Sequence, residues 1–135
     1  MSALRLAAAY AALADAGGDP LDIGLFDRAC VLVDTAFGLV QNGGFERFFG
    51  SDFPGQPHYA EFSDAFERVG LVEFAGRFRE AVDAFPFPDP HLDVKRRRDL
   101  LASSSELASQ IAALNVEAWT IEDLDEKLQR VSHEA

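Results

Sequence analysis

The side chains that could do chemistry are few and scattered. The histidines are His58, His91 and His133, and Cys30 is the one cysteine. His58 and His91 lie in proline-rich connectors, and His133 lies in the tail. No HExxH, CxxC, HxxxH or G-x-S-x-G spacing occurs, so the sequence spells out neither a zinc site nor a nucleophile elbow. His58 and His91 could converge in space, but no spacing between them demands it. A catalytic carboxylate pair needs one member desolvated so that its pKa moves. Only Asp34, between Val33 and Thr35, stands near an apolar helix row. Cys30 falls on the apolar face of its helix and reads as a small buried hydrophobe rather than a nucleophile. A single cysteine also excludes an internal disulfide. The reading is of a non-enzyme, with no catalytic residue, no cofactor and no metal.

Other groups could bind without reacting. Lys95-Arg96-Arg97-Arg98 is the one basic run. Near a helix start it opposes the dipole, so it is expected to be solvated, paired with acidic neighbours, or occupied by an anion. Asn42-Gly43-Gly44-Phe45 could be a sharp corner pinned by rings, or a nest of backbone N–H groups for a phosphate or carboxylate. No GxGxxG and no GK[ST] accompanies it, and no strand precedes it, so a nucleotide site is poorly supported. Two acidic groups stand out. Glu61, Asp64 and Glu67 share one side of a predicted helix, offset by Arg68. Glu117, Glu122, Asp123, Asp125 and Glu126 lie within ten residues with no base among them. Four of those five fall in the first turns of a predicted helix, where negative charge is favourable.

The elements that must position these groups are helical throughout. From Leu21 to Val40 the apolar residues recur at spacings of three and four, in two adjoining rows: Phe26, Cys30, Val33, Phe37, Val40 and Leu25, Ala29, Leu32, Ala36, Leu39. That period predicts a helix over residues 21–41, apolar on enough of its circumference to be covered on several sides. Asp22 is placed to cap its first turn. Asn42-Gly43-Gly44 is expected to end it, with Phe45, Phe48 and Phe49 on a new short turn. Ser2 to Ala16 predicts an alanine-rich helix with Leu6, Tyr10 and Leu13 inward, stopped by Gly17-Gly18. Two further helices are expected over 59–69, with Tyr59, Phe62, Phe66 and Val69 inward, and over 71–85, with Leu71, Ala75, Phe78, Val82 and Phe85 inward. Glu73 and Arg77 are placed for an i,i+4 pair. After the stiff Pro86–Pro90 connector, Asp89-Pro90 predicts a cap and first turn for a helix running to Leu114. A step follows over Asn115–Trp119, then a last helix from Thr120 to about Val131. All twelve phenylalanines lie between Phe26 and Phe87, which places the core mid-chain.

A family resemblance rests on these segments. VDTAFGLVQNGGFERFFG, residues 33–50, resembles the signature of a bacterial family of small helical proteins, largely of unknown function, whose characterised members include an acidic DNA mimic. The segment VGLVEFAGRFREAVDAF, residues 69–85, an arginine-bearing helix, and the Leu114-Asn115…Trp119 step continue the resemblance, which covers most of the chain from about Leu21. It implies an all-helical fold and a partner that could be a DNA-binding regulator, with carboxylates standing where phosphates would.

Charge bounds the partner independently. Twenty-three acids against 12 bases leave −11. That argues against direct nucleic-acid binding, which needs cations to displace counterions, and against docking on anionic lipid. It permits a basic protein partner. No apolar run is long enough to span a bilayer, and a cytoplasmic protein is expected. The expectation is one all-α domain over 1–135: an N-terminal helix and linker to residue 20, then about six helices in all around residues 21–41. Candidate partner-binding residues are Glu61, Asp64, Glu67, Glu117, Glu122, Asp123, Asp125 and Glu126, chosen from charge distribution. The alternatives are a helical scaffold, which could dimerise and whose acidity is incidental, and a small-ligand binder or enzyme with an enclosed polar pocket at 42–58 or 95–98.

Overall fold

The computed structural model describes residues 3–121, and these form six α-helices: α1 (Ala3–Asp15), α2 (Leu25–Phe49), α3 (Tyr59–Arg68), α4 (Val72–Asp83), α5 (Val94–Ser103) and α6 (Ser105–Trp119). No strand occurs among them. Helix α2 is the axis. It touches α1, α3, α5 and α6, while α4 closes the far side by packing on α3 and α6. Coverage on several sides is what its two apolar rows required: Ala29, Leu32, Val33, Ala36, Phe37 and Val40 are all buried.

The helix begins at Leu25, four residues later than the apolar rows suggested. Asp19 Oδ1 accepts the Leu21 N–H at 2.8 Å, and this holds Pro20–Asp22 in a short 3-10 turn. Asp22 is therefore inside that turn, and Gly24 occupies the cap position of α2. Arg28 closes the turn by donating to the carbonyls of Pro20, Leu21 and Ile23.

At its other end α2 bends where an end was expected. Gly43 and Gly44 leave helical dihedrals and the chain re-enters a helix through Phe49. Gly44, at φ 69° and ψ −173°, occupies a region reserved for glycine. A Cβ there would also come within 2.9 Å of the Asn115 amide. The short helical segment beyond the bend delivers Phe45, Phe48 and Phe49 into the centre, all fully buried. Phe48 meets the rings of Phe45, Phe49, Phe53, Tyr59, Phe62 and Phe78 at 4.9–5.9 Å. Ring pairs at such distances contribute about 0.5–1.5 kcal/mol each beyond area burial.

Helix α1 packs on α2 through small residues. Ala9 is buried, and Ala12, Leu13 and Ala16 lie against Ile23, Cys30 and Val31. Tyr10 belongs to the rim and not to this row: its hydroxyl donates to Asp34 Oδ2 at 2.7 Å. Small side chains let the helices approach, so the contact row is set by alanine rather than by the largest residues.

The predicted helix over 90–114 is two helices. Pro90–Leu92 is a 3-10 turn, and Asp93 caps α5 by accepting the Arg96 N–H. Ser104 then breaks the path and caps α6, its hydroxyl accepting the Leu107 N–H at 3.2 Å. Asp89-Pro90 therefore does not cap a helix: Asp89 has φ 50° and its side chain caps nothing. The expected step at Asn115–Trp119 is helical and belongs to α6. The last predicted helix, beyond Thr120, lies outside the described residues.

Candidate functional site

The basic run is absorbed by the fold. Arg97 is 1% exposed. Its guanidinium donates to the carbonyls of Phe49 (2.7 Å), Pro90 (2.6 Å) and Ser51 (2.9 Å) and to Asp52 Oδ1 (2.8 Å). Arg98 donates to Gly50 O at 2.8 Å. Both therefore serve the unpaired carbonyls at the C-terminal end of α2, where positive charge also complements the dipole. Arg96 lies over the Phe87 ring at 4.4 Å, and Lys95 pairs with Asp99. Every member of the run has a partner within the protein.

The Asn42–Phe45 corner is likewise satisfied internally. The Phe45 N–H, the amide that a nest would offer to an anion, donates to Asn115 Oδ1 at 2.7 Å. Asn115 Nδ2 donates in turn to Glu46 Oε1 at 2.6 Å. Asn42 donates back to Gly38 O.

The acidic candidates divide in two. Glu61, Asp64 and Glu67 project from one side of α3 as its period requires. Each faces an arginine: Glu61 meets Arg28 at 3.2 Å, and Arg79 from α4 reaches Asp64 at 3.6 Å and Glu67 at 2.6 Å. The hydrogen bond that Arg79 donates to Glu67 raises the Arg79 pKa above its already high value. Glu117 on α6 meets Arg77 at 3.5 Å, so Arg77 bridges helices and the i,i+4 pair with Glu73 does not form. These arginines sit among the carboxylates, so the α3 face mixes both signs. The Asp64, Glu67 and Glu117 bridges are exposed and hold little energy. Glu122, Asp123, Asp125 and Glu126 lie outside the described residues.

One convergence was not legible from spacing. The rings of His58 and His91 stand with centroids 4.5 Å apart, and Asp89 completes a group whose potential ligand atoms all lie within 4.8 Å of one another. The cause is the α3–α4 hairpin: helices of 10 and 12 residues return the chain to the same end of the bundle, so the residue before α3 meets the connector after α4. Those two helix lengths were the signal in the sequence. His58 caps α3, its Nδ1 accepting the Ala60 N–H at 3.0 Å. His91 Nδ1 is buried without a hydrogen-bond partner, as is the hydroxyl of Tyr59. Burial, then the neighbouring His58, lowers the His91 pKa. Burial raises that of Tyr59. Beside them is a cavity of about 200 Å³ lined by His58, Tyr59, Ser63, Phe78, Arg79, Val82 and Asp83. It is smaller than the usual pocket for a small molecule and shares only His58 with the ranges expected to enclose a ligand.

Among the described residues no helix is long and apolar enough to cross a membrane. Compared with known proteins, residues 24–133 match the family model described as DMP19-like protein. No curated protein and no solved structure matches the chain.

Proposed function

Because the chain belongs to the DMP19-like protein family, we propose that it is a non-catalytic acidic binding protein of the DNA-mimic type, which covers the DNA-contacting surface of a basic regulator. The observation that carries this reading is where the cations go. Arg28, Arg97 and Arg98 donate to backbone carbonyls. Arg28 and Arg97 divide their hydrogen bonds between carbonyls and one carboxylate each, Glu61 and Asp52, so the fold takes up cationic donors in a chain that already carries 23 acids against 12 bases. The proposed contact residues are Glu61, Asp64 and Glu67 on α3, Glu117 on α6, and Glu122, Asp123, Asp125 and Glu126 beyond it. The exposed bridges of Glu117 to Arg77 and of Asp64 and Glu67 to Arg79 are worth about 0–1 kcal/mol each, so a partner's arginines can replace them at small cost.

The test is capture of proteins from the native host at low and at high salt, followed by competition. A basic DNA-binding protein recovered only at low salt, and released from its DNA by added wild-type chain but not by a variant with Asp64→Asn, Glu67→Gln and Glu117→Gln, supports the reading. A captured partner that holds DNA and this chain together, or no such partner, overturns it.

A second reading, a helical interaction domain that could dimerise, is favoured by one observation. Val72, Val116 and Trp119 stand exposed, Trp119 at 68%. Ile121 separates a groove against Phe37, Val40 and Gln41 from another against Leu71, Val72 and Phe74. A concentration-dependent mass in solution that Trp119→Ala abolishes would favour it.

A further inference from the structure

The geometry points to a metal site at the head of the α3–α4 hairpin: His58, Asp89 and His91 together ligate a divalent first-row transition ion, zinc(II) fitting their donor set best. Two imidazoles and one carboxylate suit zinc and leave a fourth position for water. The three come from two separate connectors, Pro57-His58 and Pro88-Asp89-Pro90-His91, yet their donor atoms already lie within 4.8 Å of one another. Bonds of about 2.0–2.1 Å put the ligand atoms of a tetrahedral ion roughly 3.3 Å apart. Binding therefore requires side-chain rotation to close the group by up to about 1.5 Å.

The framework around the group is stiff. Prolines flank Asp89 on both sides and fix the backbone that carries its carboxylate. Arg97 ties the connector down by donating to Pro90 O, and ties the 50–52 loop to it through Ser51 O and Asp52. The buried His91 Nδ1 has no hydrogen-bond partner, a state that costs free energy. Coordination through that nitrogen would give it one. The Arg97 charge opposes a cation here, and Asp89 and Asp52 offset it.

Binding has a consequence for α3. Because His58 Nδ1 accepts the Ala60 N–H, the neutral ring carries its proton on Nε2. For Nε2 to bind the ion, that proton must move through water to Nδ1. The ring stays neutral, and the Ala60 hydrogen bond is given up. Metal binding therefore exchanges the cap of α3, and the Ala60 amide reports it.

The experiment uses untagged full-length protein and the metal alone. Zn²⁺ binding is followed by calorimetry, Co²⁺ by its visible absorption, and the Ala60 amide by NMR. His58→Asn keeps a capping oxygen for Ala60, and Asp89→Asn keeps a residue that tolerates positive φ, so both variants should fold. His91→Asn completes the set, with far-UV circular dichroism as the check. One ion per chain, bound about tenfold or more tightly than by His58→Asn/His91→Asn, and a metal-dependent shift of Ala60 that Asp89→Asn loses, are expected. Equal binding by wild type and the double variant, or no binding at all, overturns the site. Tight binding with an unmoved Ala60 amide overturns the exchange of the cap.

Discussion

The side chain of Asn115 accepts the backbone amide hydrogen of Phe45 at 2.7 Å, across seventy residues of sequence. The same side chain donates to Glu46, so one amide group secures the bend in α2 from the last described helix. Removing it leaves the buried Phe45 N–H without an acceptor. Asn115→Ala should destabilise by about 1–3 kcal/mol in urea unfolding. Glu46→Gln, which preserves an oxygen for Asn115 Nδ2, should change stability by less than about 1 kcal/mol.

Glycine at 44 is required by backbone and by space. Gly44→Ala should cost about 1–3 kcal/mol from the dihedral alone, before the contact with Asn115 is counted. Gly38, four turns into the same helix and exposed, has open space around a would-be Cβ. Gly38→Ala should stabilise by up to about 1 kcal/mol. Opposite signs at two glycines six residues apart, measured by thermal or urea unfolding, would separate the bend from general helix propensity.

Arg97 and Arg98 differ sharply although adjacent. Arg97→Met removes a buried donor from three carbonyls and from the half-exposed Asp52, and should cost about 1–3 kcal/mol for each carbonyl left without a partner. Arg97→Lys should recover little, since an ammonium cannot reproduce a planar fork of donors. Arg98→Ala, at the exposed hydrogen bond to Gly50, should cost about 1 kcal/mol. Melting of the three variants checks the order.

Tyrosine ionisation gives a pH signature. Burial, the largest effect, with Asp34 adding to it, pushes the Tyr10 pKa up to about 12, and burial raises Tyr59 as well. In the unfolded chain both titrate near 10. Below pH 10 both states hold the proton and stability is unaffected. Between pH 10 and 12 the unfolded state loses it first, so stability falls as pH rises. Phenolate absorbance should therefore stay low at pH 10.5 in native protein and appear on unfolding. Normal titration of both rings at pH 10 would contradict the burial of Tyr59.

The helices were legible because their inward rows are long: Tyr59, Phe62, Phe66 and Val69, or Leu107, Ile111 and Leu114, are buried as their period required. The misread places are governed by single local hydrogen bonds. Ser104 inside 90–114 looked like any helix residue, and only its hydroxyl on Leu107 N makes it a cap. Asn115 looked like a break because asparagine often is one, whereas its partner lies on another helix. Arg97 read like its basic neighbours, since its burial depends on where the end of α2 meets α5. The acidic groups were visible as composition, but their arginine partners come from other elements. The His58–His91 contact needed the hairpin geometry and not the residues' own spacing.

Synthesis runs from the N-terminus, so the acceptor for Phe45 leaves the ribosome seventy residues after the amide it serves. Until then the nascent chain carries two glycines without the Asn115 side chain that holds their bend. Local turns of α1 to α4 can form early, but this distant closure must wait. A product truncated before Asn115 would leave the tunnel with its aromatic elbow open, which makes the interval between synthesis of Phe45 and of Asn115 the one in which this bend most needs a chaperone.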